Sequence, residues 1–115
     1  MYTINRALIV VKPKQIFADW VNAHPDSAGF TTTLDSLRED STAYLIPEFD
    51  SDQEAQEYLE DLSTDIFEIE LESWYSNESF WPKRRDYKTF LEWFDIEFHS
   101  MIIDPYENDI EKEEY

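Results

Sequence analysis

A helical pattern over residues 51–74 constrains the fold of this 115-residue chain more than any other feature. Ser51 and Glu54 have the spacing of a capping box, in which each side chain satisfies a free backbone N–H group at the start of a helix. Apolar residues follow at offsets of 0, 3, 4, 7, 11 and 14 and form one stripe along a helix. The residues of this stripe are Ala55, Tyr58, Leu59, Leu62, Ile66 and Ile69. A second stripe beside it consists of Phe67, Leu71 and Trp74. We predict a single helix over residues 52–74, apolar along one side and anionic along the other.

Shorter apolar runs predict the strands of a sheet. Residues 7–11 are continuously apolar and mostly β-branched, which is typical of a central strand covered on both faces. Pro13 suits the first position of a helix that continues to residue 24. The Thr-rich residues 30–37 predict an edge strand of moderate apolarity, and residues 43–46 predict a second strongly apolar strand.

The C-terminal half adds a loop, a short helix and a last strand. Residues 76–85 lack any periodicity and predict a loop, whereas the aromatic spacing in residues 87–94 predicts a helix. Residues 95–103 fit either a strand or a continued helix. We predict a strand because polar and apolar residues alternate in its first half and the apolar residues 101–103 suit a strand.

The order β-α-β-β-α-(α)-β is that of an α+β, ferredoxin-like split β-α-β sandwich with an extra short helix before the last strand. This topology places the first and third strands, which are the two most apolar, at the centre of the sheet. The length is that of one domain, which we predict over residues 1–106, followed by an acidic tail over residues 107–115.

Composition excludes several kinds of site and partner. The chain has no cysteine and one glycine, which excludes disulfides, thiolate metal sites and glycine-rich phosphate loops, and we expect no cofactor. Nine Lys and Arg against 27 Asp and Glu give a net charge of −18, which opposes direct binding to nucleic acid or an anionic membrane. No signal-peptide pattern and no apolar run of about 20 residues is present, so we expect a soluble, cytoplasmic protein.

A charge gap in the middle of the chain predicts a docking surface. No Lys or Arg occurs between Arg38 and Lys83, whereas fourteen Asp and Glu occur from Glu39 to Glu78. The structural alternative is a solvated helix face that keeps the protein soluble. However, without Lys or Arg the helix cannot form any of the i, i+4 ion pairs that would stabilise it. This absence favours a basic protein partner. The acids that we predict to bind this partner are Glu54, Glu57, Asp61, Asp65 and Glu68.

Aromatic and basic residues are concentrated in the loop that follows the acidic helix. We predict Trp74, Trp81, Arg84 and Arg85 as further partner-binding residues, because Trp and Arg are common anchors of binding interfaces. Three alternatives stay open. The aromatic residues could cover the core, and the basic residues 83–85 could simply neutralise the acidic helix. The aromatic residues could also pack across a two-fold axis in a self-associating domain, so we expect a monomer or a weak homodimer.

A third candidate site lies in the last strand. Asp95, Glu97 and His99 alternate along the chain, so in a strand they share one face. Two carboxylates and an imidazole within reach of one another suit general acid–base catalysis or metal binding, which makes an enzyme or a metal-dependent protein the competing hypothesis. The structural alternative is an exposed polar strand face, and we predict neither a metal site nor, as the first choice, an enzyme.

The stretch Glu92-Trp-Phe-Asp-Ile-Glu-Phe-His-Ser100, together with Asp104, resembles a family of small acidic bacterial proteins of unknown function. The resemblance extends to residues 43–49 and the helix after them. It implies a bacterial, cytoplasmic origin and carries no activity and no site residue to this chain.

Overall fold

The computed structural model describes residues 1–24 and 31–115. Within them it contains five strands, four helices and a 3-10 turn at Glu78–Phe80. The strands are β1 (Tyr2–Thr3), β2 (Ala7–Pro13), β3 (Thr42–Ile46), β4 (Phe94–His99) and β5 (Ile103–Asp104). The helices are α1 (Gln15–Ala23), α2 (Leu34–Arg38), α3 (Asp52–Glu72) and α4 (Tyr87–Trp93). The chain therefore has the α+β composition that the sequence predicted.

Helix α3 is the single unbroken helix that the sequence predicted. The Ser51 hydroxyl accepts a hydrogen bond from the Glu54 backbone N–H at 3.2 Å, so one half of the capping box is present. The helix is 21 residues long, and the Ser73 N–H at its C-cap donates to the Ile69 carbonyl. Its buried residues are Ala55, Leu59, Ser63, Ile66, Phe67, Glu70 and Leu71.

Strand β2 is central, as predicted, in a three-stranded antiparallel sheet of order β3-β2-β4. Every second residue of β2 from Ala7 to Pro13 is buried, and the residues between are half-buried. The expectation of full cover on both faces is therefore wrong, because only one face points into the core. Pro13 pairs with Phe94 at the end of β2, so helix α1 begins at Gln15 and not at Pro13.

The predicted strand over residues 30–37 is wrong where the structure describes it. Residues 34–37 belong to helix α2, while Phe30 lies outside the described residues. Thr33 starts this helix, because its hydroxyl accepts a hydrogen bond from the Ser36 N–H at 3.1 Å. Asp35 in the first turn and Arg38 in the last turn complement the helix dipole. The high β-propensity of threonine is thus overridden by its use as a helix cap.

Helix α2 in place of a strand changes the sheet. The sequence predicted that the strands at residues 7–11 and 43–46 both lie at the centre of the sheet. The first of these is central, as β2. The second is β3, which lies at an edge and pairs antiparallel with β2, so the prediction is wrong for that strand. The ferredoxin-like four-stranded arrangement is not confirmed. A second sheet, which the sequence did not predict, consists of the two short antiparallel strands β1 and β5.

The ambiguous residues 95–103 form a strand in their first half. Strand β4 pairs with β2 over its whole length and forms the second edge of the sheet, and Ile96 and Phe98 pack against the core. The chain leaves the sheet after His99 and forms β5 at Ile103–Asp104. The short helix before β4 is also confirmed as α4.

Aromatic rings connect the helices to the sheet. The Phe67 ring of α3 is completely buried, and its centroid lies 6.0 Å from that of Phe90, 5.3 Å from Trp93 and 5.5 Å from Phe94. Phe17 of α1 also contacts Trp93 and Phe94. This cluster holds α3 in one orientation, with its buried side toward the sheet and its opposite side toward solvent.

Candidate functional site

Six carboxylates form a straight row on the solvent side of α3, which we name the acidic stripe. Its members follow one another at intervals of three or four residues: Glu54, Glu57, Asp61, Asp65, Glu68 and Glu72. Residues at this spacing lie above one another on a helix. At about 1.5 Å per residue, the row is about 27 Å long. It faces away from the side of the helix that carries Leu59, Ile66 and Glu70 into the core.

Little of the charge on the acidic stripe is neutralised. Glu68 accepts from the Arg85 guanidinium, with Nε 3.2 Å from Oε2, and in the described part of the chain it is the only member with a cationic partner. Glu54 accepts from the Tyr58 hydroxyl at 3.4 Å, and Glu57 is held by the neighbouring Gln53 amide. Neither contact supplies positive charge.

A groove borders the C-terminal half of the acidic stripe. Asp65, Glu68 and Glu72 line it from α3, and Glu78 adds a fourth carboxylate from the loop. Trp81 also contributes to the lining of this groove, which has a volume of about 470 Å³. The aliphatic stem of a lysine or arginine side chain fits such a groove, because its charged end would meet carboxylates.

Trp81 is the buried residue of the loop after α3 and belongs to the core. Trp81 is only 9% exposed, and its indole N–H donates to the Tyr75 carbonyl at 2.7 Å. The Arg85 guanidinium carbon lies 5.6 Å from the centroid of the Trp81 ring, while its Nε pairs with Glu68. The structure therefore favours the core-covering alternative for Trp81 and gives no support to its role as an exposed anchor.

The other two predicted residues of this loop differ in exposure. Trp74 is half-buried and packs against the core. Arg84 is largely exposed, with its guanidinium 3.4 Å from the Asp86 carboxylate. Arg84 is thus the one predicted basic residue of this loop that reaches well into solvent.

The carboxylates of β4 share one exposed face with His99, as the alternation predicted. They are ion-paired there: Lys12 Nζ lies 2.6 Å from Glu97, and Arg38 lies 2.9 Å from Asp95. His99 Nε2 is 3.3 Å from the second Glu97 oxygen. The hydrogen bond from Lys12 lowers the pKa of Glu97. These contacts explain the three residues as an ion-paired strand face.

No group of three or more His, Cys, Asp or Glu residues in the described ranges could hold a metal ion. The metal-dependent alternative for Asp95, Glu97 and His99 is therefore unsupported by their geometry. The two carboxylates are instead directed to Lys12 and Arg38.

Glu70 is a buried carboxyl that the sequence-based prediction missed. It is 9% exposed, and the Thr42 hydroxyl donates to its Oε2 at 3.3 Å. Burial raises the pKa of Glu70 to about 7, and the Thr42 hydrogen bond offsets only part of that effect. The helical spacing contains the signal, because Glu70 follows Ile66 by four residues and Phe67 by three, on the buried side of α3.

Two cavities meet at Glu70. The first, about 350 Å³, has apolar walls that include Phe17, Leu37 and Trp74, and Asp40 adds a second carboxylate. We name it the Glu70 cavity. The second, about 370 Å³, shares Glu70, Thr42 and Ser73 with the first and is also lined by Tyr44.

The Tyr44 hydroxyl is an unusual feature of the second cavity. Its oxygen is buried and makes no hydrogen bond within the described residues. Burial and the negative charge of Glu70 raise the pKa of this phenol. A buried hydroxyl without a hydrogen-bond partner costs free energy of folding.

Comparison with known proteins returns no family model, no curated protein and no solved structure with significant similarity to this chain. Across residues 1–24 and 31–115, no helix combines the length and the apolarity needed to cross a membrane. The features that bear on function are accordingly the acidic stripe, the groove beside it and the surroundings of Glu70.

Proposed function

We propose that this chain is a cytoplasmic, non-enzymatic interaction or regulatory protein that binds a basic protein partner along the acidic stripe. One observation carries the proposal: six carboxylates stand in a row on the solvent side of α3, and within the described residues only Glu68 has a cationic partner, Arg85. With a net charge of −18, the protein would attract a basic partner over long range and so accelerate association.

The shape of the surface favours an elongated cationic segment of the partner. The acidic stripe repeats about every 5.4 Å, once per helical turn, which matches lysine or arginine residues spaced three or four apart on a partner helix. The groove lined by Asp65, Glu68, Glu72 and Glu78 would take one such side chain. Nucleic acid is a poor candidate because its phosphates would be repelled.

The same charge supports action as a monomer or a weak homodimer. Two copies at −18 each would repel one another if their acidic stripes approached. The resemblance of residues 92–100 to small acidic bacterial proteins favours a bacterial setting for this binding.

Charge reversal on the acidic stripe should strongly weaken partner binding. In one variant Glu57→Lys, Asp61→Lys and Asp65→Lys are combined. In a matched control, Asp109→Lys, Glu111→Lys and Glu113→Lys reverse the same number of acids in the exposed tail. Each set makes the net charge −18 + 6 = −12, so only the position of the charge differs. We expect the stripe variant to bind a basic partner at least about tenfold more weakly than the control does.

The measurement begins with capture of lysate proteins at low salt and continues with the purified partner. We expect captured proteins to be basic, to be retained by the tail variant and to be lost by the stripe variant. Raising the salt from about 0.05 to about 0.5 M should weaken the wild-type complex strongly. Equal capture by both variants, or an affinity that does not respond to salt, would show that the acids serve only solubility.

A further inference from the structure

We propose that the Glu70 cavity binds a small organic cation, namely a primary amine attached to an aromatic or other apolar group. This inference is independent of partner binding by the acidic stripe, because Glu70 lies on the opposite side of α3. It starts from a carboxylate that is nine-tenths buried beside a cavity of about 350 Å³.

The Glu70 carboxylate lacks a counter-charge in the part of the chain that the structure describes. Among residues 1–24 and 31–115, Thr42 is the only hydrogen-bond partner of the Glu70 carboxyl, and no cation pairs with it. Arg38, close to the cavity residue Asp40 in sequence, is engaged with the Pro13 carbonyl and Asp95 instead. A bound ammonium group would offset the cost of ionised Glu70 in a buried position.

The hydroxyl hydrogen bonds beside Glu70 leave acceptor oxygens for a ligand. Thr42 donates its hydroxyl hydrogen to Glu70 Oε2, and Ser73 donates its own to the Glu70 backbone carbonyl at 2.6 Å. Each hydroxyl therefore keeps only acceptor lone pairs for a ligand. An ammonium group, with three N–H donors, complements two such oxygens and a carboxylate, whereas an anion would meet the charges of Glu70 and Asp40.

The Glu70 cavity also has an apolar wall. Phe17, Leu37 and Trp74 line the same cavity, so the ligand should carry an apolar group beside its charge. Aromatic side chains also attract cations through their ring faces. The volume is near the lower limit for small-molecule sites, which points to a compact amine rather than a nucleotide or a large cofactor.

Proton release gives a second readout besides affinity. An ammonium beside Glu70 would favour its ionised form, so binding near pH 7 should release about half a proton. Among the described residues, the other titratable groups that line these cavities are Asp40 in the first, and Tyr44 and Tyr115 in the second. Burial raises the pKa of Tyr44, so this phenol stays protonated near pH 7, and the Glu70→Gln variant identifies the part of the proton release that belongs to Glu70.

The experiment titrates phenethylamine and its neutral analogue phenethyl alcohol into the protein by calorimetry, in two buffers of different ionisation enthalpy. We expect the amine to bind wild type at least about tenfold more tightly than the alcohol does. Glu70→Gln should weaken amine binding by about tenfold or more and remove most of the proton release. Glu72→Gln is the matched control, since it removes an exposed charge from the same helix, and it should change neither readout appreciably.

Asp40→Asn provides a second test that leaves Glu70 intact, and it should weaken amine binding several-fold. Circular dichroism of each variant checks that the fold is retained. The proposal is overturned if phenethylamine binds the Glu70→Gln variant as tightly as it binds the wild-type protein. It is also overturned if the wild-type protein binds phenethylamine no more tightly than phenethyl alcohol. Absence of saturable binding below about 10 mM would also overturn it.

Discussion

Replacing Glu70 with glutamine should stabilise the protein by about 3 kcal/mol at pH 8 and should have almost no effect at pH 4. The substitution keeps the size of the side chain and leaves an oxygen to accept from Thr42. It removes the cost of burying a negative charge, which the wild-type protein bears whenever Glu70 is ionised. A core carboxyl that lowers stability is typical of a group retained for function rather than for folding.

The direction of the change in stability with pH follows from the number of protons that the folded and unfolded states bind. Burial raises the pKa of Glu70 from 4.5 to about 7, so the folded state binds more protons than the unfolded state between these two pH values. Wild-type stability must therefore fall as the pH rises through this window, and the loss is complete above the folded-state pKa. Glutamine carries no titrating proton, so this component of the pH dependence disappears in the variant.

Urea unfolding at several pH values between 4 and 8 provides the measurement. Glu72→Gln is the control for the general relief of surface repulsion, because it removes an exposed charge two residues away. We expect its effect to stay within about 0.5 kcal/mol at every pH. Parallel pH profiles for wild type and Glu70→Gln would mean that Glu70 is not held in a costly buried state.

Phe67→Ala should destabilise the protein by about 3–5 kcal/mol, which is the usual cost of removing a fully buried aromatic ring. Phe67 joins α3 to Phe90 and Trp93 of α4 and to Phe94 of β4, so its loss leaves a hole where helix and sheet meet. Urea unfolding monitored by tryptophan fluorescence measures the change, since Trp93 adjoins the deleted ring.

Leu91→Ala is the matched control for this substitution. Leu91 lies on α4 beside Phe90, but it is 37% exposed, so its truncation should cost less than about 1 kcal/mol. If Phe67→Ala proved no more harmful than Leu91→Ala, the aromatic cluster would not be what fixes the orientation of α3.

Local signals in the sequence predicted most of the elements correctly. The capping residue Ser51 and the apolar spacing after it predicted α3, and the apolar run at residues 7–11 predicted the central strand β2. These features depend on neighbours in the chain, so a single sequence contains them. The prediction of a strand over residues 30–37 was wrong because the Thr33 side chain caps helix α2, which outweighs the β-propensity of threonine. The predicted order of the strands in the sheet was wrong for the same reason.

Two features of the candidate sites depend on tertiary contacts. The position of Glu70 on the buried side of α3 is visible from its spacing, but its cavity depends on Phe17, Asp40 and Thr42, which are distant in sequence. Similarly, the sequence leaves open whether Trp81 is exposed or covers the core, and its packing in the core cluster decides this. The acidic stripe was easier to predict, because charge and helical period together place it in solvent.

The most direct test of the central claim maps the binding of a cationic helical peptide, made only of alanine and lysine, onto the protein by amide chemical shifts at low salt. We predict that the largest shifts fall along the acidic stripe from Glu54 to Glu72 and in the groove near Glu78, and that they vanish in the stripe variant. Shifts centred on the acidic tail or on the β4 face, or equal shifts in the stripe variant, would contradict a docking surface on α3.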